Sequence, residues 1–222
     1  MGQSVMSEMD LKDCIYTLNK FDFDIKERRV YLCGAIEEEE TPFTVKQIHF
    51  LNSLSHEPIT LILNSPGGTD DMLLYLYDAI TTSISEVTTV ASGMVCSAAS
   101  LILACGDKRY ATEQCFMMTH KGSAVISGDD DEIESQAELQ KKITDLYWKL
   151  LARHSNGKKT ADQWYSKSKD EGQLWLNAED MLKWGVIDGI LKPSRREFPA
   201  LPKKKLKRLI SDLEKEEETE EE

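Results

Sequence analysis

The chain has 222 residues, a length that suits one domain with short extensions. Its 39 acidic and 27 basic residues leave a net charge of −12, which argues against broad electrostatic binding of nucleic acid or anionic lipid. No run approaches the ~20 apolar residues of a membrane helix, and the polar first ten residues lack the basic and apolar regions of a signal peptide. We therefore predict a cytoplasmic protein that binds neither nucleic acid nor a membrane.

The five cysteines are odd in number and form no CxxC pair, and several of them lie in apolar surroundings. This pattern predicts free thiols rather than a disulfide framework or a structural zinc site. The four histidines also lack the spacing of metal ligands. We predict that the protein needs no metal and no organic cofactor.

Two changes of composition divide the chain into three parts. Residues 1–26 are mixed and polar, and we interpret them as a flexible segment or a propeptide. Residues 27–192 alternate between strand-like and helix-like patterns, which predicts the folded domain. Residues 193–222 become highly charged and end in an acidic run, which predicts a disordered or partly helical tail.

The middle part reads as strands and helices in alternation. Strands are predicted at 29–34, 59–63, 87–91, 115–119 and 186–191, and helices at 43–54, 71–83, 97–105, 130–154 and 178–184. Thr41 is the candidate N-cap of the first helix, and Ser92-Gly93 is expected to end the third strand. The helix at 130–154 carries an apolar stripe that includes Ile133, Leu146 and Leu150. This alternation predicts an α/β fold with right-handed crossovers.

The first chemical signal is the sequence Asn64-Ser65-Pro66-Gly67-Gly68 directly after a buried strand. Two glycines let the backbone turn sharply and point its N–H groups outward, where they can stabilise an oxyanion. Taken alone, this pattern is also that of an ordinary turn. A phosphate-binding loop is not favoured, because the GxxxxGK[ST] pattern is absent.

The second signal is Ser97, which stands at the predicted start of an apolar helix just after a strand and Gly93. The small residues Ala98 and Ala99 would leave its hydroxyl accessible, and a helix N-terminus favours developing negative charge. The setting is similar to a nucleophile elbow without the GxSxG pattern. An ordinary N-cap serine is the alternative reading.

The third signal is His120, at the end of a predicted strand. A histidine in such a place can deprotonate a serine near neutral pH, although a single histidine is more often structural. The three signals together are more specific than any one of them.

Together these motifs resemble the family of Clp protease proteolytic subunits (ClpP) over residues 27–192. The likeness rests on NSPGG at 64–68, G-x-x-x-S at 93–97, A-x-G at 104–106, M-x-H at 118–120 and W-L-N-A at 175–178. The resemblance implies a ClpP/crotonase-like spiral of parallel strands and helices with a protruding handle helix.

The resemblance also implies the roles of the site residues. Ser97 would be the nucleophile, His120 its general base, and the backbone N–H groups of Gly68 and Ala98 the oxyanion hole. The family places an aspartate six residues before the aromatic of its closing motif, where this chain has Lys169. A one-residue deletion in the loop would give that role to Asp170, and the alternative is that Asp170 is a solvated loop acid. Asp188 is expected to pin the last strand instead.

The function implied is that of a serine endopeptidase that hydrolyses unfolded polypeptides inside two stacked heptameric rings, with a hexameric AAA+ unfoldase as partner. Three alternatives stay open: a catalytically impaired ring subunit, a viral head-maturation protease of the same fold, and a crotonase-type enzyme. The chain departs from the family pattern in Lys121-Gly122-Ser123-Ala124 after the histidine and in the acidic Thr69-Asp70-Asp71 after Gly68.

Overall fold

The computed structural model describes residues 16, 18, 20 and 22–193. Its strands are β1 (Phe23–Asp24), β2 (Arg29–Leu32), β3 (Ile59–Ser65), β4 (Val87–Cys96), β5 (Lys108–Thr112), β6 (Phe116–His120), β7 (Gln173–Asn177) and β8 (Gly189–Leu191). Its helices are α1 (Thr41–Leu54), α2 (Asp70–Thr81), α3 (Ala98–Ala104), α4 (Asp130–His154), α5 (Ala161–Glu171) and α6 (Ala178–Trp184). The predicted tail at 193–222, apart from Pro193, and most of the predicted segment at 1–26 lie outside the described residues.

The described strands form one mixed sheet, as the α/β prediction required. Its main order is β1-β2-β3-β4-β5-β8, and β6 pairs with both β4 and β7. The β1–β2 and β6–β7 pairs are antiparallel, and the remaining pairs are parallel. Phe23 pairs with Val30 and is buried, so the sheet begins before residue 27, the predicted start of the domain.

Strand β4 forks the sheet at Gly93. Its first half pairs with β5 at Thr88–Ala91, and its second half pairs with β6 at Met94–Cys96. The prediction that Ser92-Gly93 ends this strand is wrong, because Gly93 bends it at φ +78° and the N–H of Met94 donates to Asn64 Oδ1 at 3.2 Å. The glycine therefore redirects the strand to a new partner, and this brings β6 beside the end of β4.

Helix α3 occupies the centre of the core, where all seven of its residues are buried. Helices α1 and α2 add their own apolar faces, of which Ile48 and Leu76 are fully buried members. A helix that is apolar on every side is stable only when it is covered on every side. The start of α3 is therefore held firmly, and Ser97 immediately precedes it.

Of two predicted helix starts, one differs from the structure and one agrees with it. Thr41 is the first residue of α1 rather than its N-cap, which is Glu40, and the buried Thr41 hydroxyl has no partner among the described residues. Helix α4 spans the predicted 130–154, because Asp129 and Glu132 form a capping box at its start.

Helix α4 projects its N-terminal half away from the core. Its buried residues, Trp148, Leu150 and Leu151, all lie near its C-terminal end. Leu139 is 57% exposed and Leu146 is 39% exposed, whereas Leu150 is only 5% exposed. The predicted apolar stripe is therefore divided, with one end packed in the subunit and the rest on a protruding handle.

Asp188 fixes the last strand to β5, as predicted. Its Oδ2 accepts from the backbone N–H and the Nε of Arg109, both at 3.0 Å, and its Oδ1 accepts from Nη2. Burial alone would raise the pKa of Asp188, but the hydrogen bonds and charge of Arg109 lower it below its ordinary value. Asp188 is thus committed to a structural ion pair.

Within the described residues, no helix combines the length and apolar character that a membrane crossing needs.

Candidate active site

Ser97 sits in a strained backbone conformation between β4 and α3. Its φ of 52° and ψ of −121° lie in a region that non-glycine residues rarely adopt. Its N–H donates to the carbonyl of Met118 at 2.7 Å, and its own carbonyl accepts from the N–H of Ser100 at 3.0 Å. These bonds hold the sharp strand-to-helix turn that the sequence predicted.

The side chains of Ser97 and His120 are in hydrogen-bond contact. Ser97 Oγ lies 2.9 Å from His120 Nε2. The contact follows from strand register, because β4 and β6 run parallel with Cys96 beside Met118, and each functional residue follows shortly after this pair. Two predicted site residues are thus brought together at the distance expected of a nucleophile and its base.

The glycine turn packs directly against the nucleophile. A Cβ on Gly67 would lie 2.8 Å from Ser97 Cβ and 3.0 Å from the backbone nitrogen of Ala98, so only glycine allows this approach. The turn is anchored to Ile36, whose N–H donates to Gly67 O at 2.8 Å and whose carbonyl accepts from the N–H of Thr69 at 3.0 Å.

This arrangement leaves two N–H groups for an oxyanion. The two hydrogen bonds with Ile36 are made by Gly67 and Thr69, the neighbours of Gly68. The N–H of Gly68 itself takes no part in them. The N–H of Ala98 starts α3 and has no acceptor within that helix. Gly68 and Ala98 both line one cavity with Ser97 and His120, so the predicted oxyanion donors and the reacting pair share a space.

That cavity has a volume of about 380 Å³ and is bordered by α2, α4 and the segment after His120. The segment at 121–127 has no regular structure, and Lys121 to Ala124 line the cavity. Helix α2 contributes Asp70, whose Oδ2 accepts from Gln140 Nε2 on α4 at 2.8 Å. The site is thus bordered by a segment without regular structure and by polar side chains of α2 and α4.

A buried hydroxyl cluster ties α4 to both halves of the reacting pair. Tyr147 OH lies 2.7 Å from Ser100 Oγ, 2.7 Å from Thr119 Oγ1 and 3.2 Å from the carbonyl oxygen of Ser97. Ser100 and Thr119 are fully buried. Since Thr119 precedes His120, one tyrosine connects the nucleophile turn with the strand that carries the base.

The directions of these bonds follow from counting protons. Ser100 Oγ donates to the carbonyl of Ser97 at 2.5 Å, so its oxygen is left to accept from Tyr147. Tyr147 must then accept from Thr119. Burial is the main reason that the pKa of Tyr147 is raised, so the hydroxyl stays protonated and keeps this role.

Comparison with known proteins agrees with this geometry. The family model described as Clp protease matches residues 16–194. The chain belongs to the Clp protease family. It is 32% identical to the ATP-dependent Clp protease proteolytic subunit of Carsonella ruddii over 170 residues, which cover 75% of this chain and 85% of that protein.

Two further relatives carry closely similar names. The ATP-dependent Clp protease proteolytic subunit 2 of Pseudomonas aeruginosa is 30% identical over 179 residues, or 78% of this chain and 86% of that protein. The corresponding subunit 2 of Treponema denticola is 31% identical over 175 residues, or 78% and 85%. The predicted resemblance is confirmed, and this Clp protease is a serine-type peptidase. The crotonase, impaired-subunit and head-maturation alternatives are not favoured.

Asp170 lies apart from the reacting pair in this structure. It is exposed in the last turn of α5, where the sequence had predicted a loop. Ser168, two residues earlier, is buried and donates to the carbonyl of Thr119 at 3.2 Å. Residues two apart point to opposite sides of a helix, and no hydrogen bond joins Asp170 to His120 in the described part of the chain.

Sequence reasoning missed two residues of the site. Tyr147 is one of them, because nothing in the sequence indicates a hydroxyl cluster formed across three elements. Asp70 was noted as unusually acidic for the family, but its place in the cavity wall required the structure.

We predict that Tyr147→Phe slows the reaction of Ser97. The change removes the hydroxyl that joins the nucleophile turn to Thr119, so we expect about a tenfold lower rate, the effect of one lost hydrogen bond of ~1.4 kcal/mol. The measurement is the rate of Ser97 labelling by a fluorophosphonate probe, taken at equal folded fraction.

Tyr165→Phe is the matched control. Its ring packs against Trp148, and its hydroxyl makes no hydrogen bond with the other described residues. Equal labelling rates for the two variants would contradict the role given to Tyr147.

Proposed function

We propose that Ser97 attacks the scissile carbonyl while His120 Nε2 takes its proton. The carbonyl oxygen becomes an oxyanion that accepts from the N–H groups of Gly68 and Ala98. The protonated His120 then gives its proton to the leaving amine, and water hydrolyses the acyl-enzyme in a second round. The observation that carries this proposal is the 2.9 Å contact between Ser97 Oγ and His120 Nε2 in a cavity lined by both donors.

We retain Asp170 as the proposed acceptor for the Nδ1 proton of His120, with one condition. Because Asp170 lies on the face of α5 opposite Ser168, the last turn of that helix must unwind before the carboxylate reaches the imidazole. Gly172 follows that turn with φ 74°, a conformation in which the chain already leaves the helix. The Ser97–His120 pair becomes a triad when the carboxylate of Asp170 moves within hydrogen-bond distance of His120 Nδ1.

We propose unfolded polypeptides as substrates and an assembly of two stacked heptameric rings. Support comes from α4, whose apolar stripe starts at the buried Leu150 and continues outward through Leu146 and Leu139. Leu139 and Leu146 are seven residues apart and therefore lie on one side of the helix. Such a stripe suits the handle of a second copy of the chain, and an enclosed chamber keeps Ser97 from folded proteins.

A hexameric AAA+ unfoldase is the proposed partner that feeds the chamber. The relatives are named as ATP-dependent proteases, and this chain lacks the GxxxxGK[ST] phosphate loop, so a separate protein would use the ATP. Because that partner requires ATP, we place the protein in the cytoplasm.

Ser97→Ala tests the proposed nucleophile. We expect it to abolish fluorophosphonate labelling and to lower peptide hydrolysis by about 10⁶-fold, as removal of a nucleophilic serine does elsewhere. Ser92→Ala, on the same strand but outside the cavity, is the control and should keep full activity. Substantial hydrolysis by folded Ser97→Ala would refute the mechanism.

Asp170→Asn tests the third group. If the carboxylate fixes the tautomer of His120, kcat should fall by about 10⁴-fold, because an amide in its place favours the wrong tautomer. Glu171→Gln removes the neighbouring acid, which pairs with Lys167 in an exposed salt bridge, and should leave kcat unchanged. An unchanged kcat in Asp170→Asn would mean that Ser97 and His120 work as a dyad.

Leu139→Asp combined with Leu146→Asp tests the handle. Both residues are exposed in the single subunit, so the subunit should fold normally, while two charges in an apolar contact should prevent ring stacking. Native mass spectrometry should then show single rings or smaller species with reduced peptidase activity. Glu134→Lys, about 140° around the helix from Leu139, is the control. Full assembly of the double variant would refute the proposed contact.

A further inference from the structure

The wall of the catalytic cavity carries a carboxylate that the reaction itself does not use. Among the described residues that line the space shared by Ser97 and His120, Asp70 is the only acidic one. It is half-buried, and only its Oδ2 has a partner, Gln140 Nε2. Its Oδ1 accepts no hydrogen bond from the described residues, so a ligand can use it.

Asp70 and Asp71 both lie in the first turn of α2, where negative charge favours a helix. The neighbouring Asp71 already supplies negative charge at the N-terminus of α2, and a hydrogen bond from Thr69 lowers the pKa of Asp71. Asp71 is exposed and does not line the cavity. Of these two adjacent acids, Asp70 is the one that lines the reaction space.

The position of Asp70 relative to the oxyanion hole decides which part of a substrate would meet it. Gly68 lies two residues before it, so the two Cα atoms are at most about 7 Å apart. A substrate whose scissile carbonyl oxygen lies on the Gly68 N–H therefore has P1, the residue that carries this carbonyl, within reach of Asp70 for a long side chain. Helices α2 and α4 line the cavity with Asp70, Leu73, Ile143, Thr144 and Tyr147, and Asp70 is the charged member of this set.

The charge of Asp70 acts inside this space. It adds to the rise in the pKa of Tyr147 that burial mainly causes, so the carboxylate and the tyrosine hydroxyl are close enough to interact. Lys121 lines the same cavity but belongs to the exposed segment after His120, and no salt bridge joins it to Asp70 among the described residues. The cavity lining thus carries one negative charge, held by Gln140, and one positive charge on the irregular segment after His120.

We propose that Asp70 makes this enzyme selective for a long basic side chain, Lys or Arg, at P1. This inference rests on the proposed function of the Ser97 site and names its substrate class. A lysine or arginine side chain reaches from the scissile carbonyl to the free Oδ1 of Asp70 and forms a charge-assisted hydrogen bond there. An apolar P1 side chain would desolvate the Oδ1 of Asp70 without giving it a hydrogen-bond partner.

The test compares fluorogenic peptides that differ only at P1, with Lys, Arg, Leu, Met or Glu in that place. We expect kcat/KM of the full-length protein for Lys and Arg to exceed that for Leu and Met by about 10- to 100-fold, the value of one charge-assisted hydrogen bond. Asp70→Asn keeps the size of the residue and an acceptor for Gln140, and it should lower this ratio by the same factor. Asp70→Glu should restore the preference.

Asp71→Asn is the matched control, because it removes an acid from the same helix turn outside the cavity. Its ratio should equal that of the unmodified protein. The inference is overturned if the unmodified protein prefers Leu or Met, if Asp70→Asn leaves the ratio unchanged, or if Glu is preferred, which would assign the dominant charge to Lys121. Loss of hydrolysis in Ser97→Ala with no effect of Asp70→Asn would reject this inference alone, and hydrolysis that survives Ser97→Ala would reject the site itself.

Discussion

The active site depends on one strained residue. Ser97 adopts a backbone conformation that costs of the order of 1–3 kcal/mol, and its surroundings must supply that energy. They do so from both sides of the residue, since its N–H is bound by Met118 on β6 and its carbonyl by Ser100 on α3. The helix that begins there is buried on all faces, so the turn cannot relax without disturbing the core. Rigidity at this one position sets the direction of Oγ.

The same constraint determines which strand brings His120 to Ser97. A strand that binds the N–H of Ser97 has to run beside the end of β4, and β6 does so only because β4 bends at Gly93 and exchanges β5 for a new neighbour. His120 then ends β6 within reach of Ser97. Tyr147 closes the arrangement from α4, the helix whose other half protrudes. Any contact that holds the outer half of α4 therefore acts on the same helix that supports the turn at Ser97.

Features with strong local signals could be predicted from the sequence. Helix α4 has a capping box at Asp129 and Glu132, and α6 lies between an Asn177 cap and a left-handed Gly185, so both helices were predicted with their observed bounds. Ser97, His120, Gly68 and Ala98 could be proposed as site residues because their motifs are local as well, and the structure places them around one cavity. Helix α5 was missed because Trp164 and Ser168 are its only buried residues, too few for an apolar period, although Thr160 and Gln163 form a capping box that could have indicated it.

Contacts between distant elements could not be predicted from the sequence. Some of these contacts bear on two different kinds of substrate selectivity. A chamber selects substrates by access, which is a property of the assembly and needs nothing from the cavity wall. Asp70 acts on the side chain beside the bond to be cut, and its bond to Gln140 joins α2 to α4 at the same point. Asp70, the group that would select the substrate, is thus hydrogen-bonded to α4, the handle helix that would form the contact between the rings. Movement of α4 would alter both the shape of the cavity and the position of its charge.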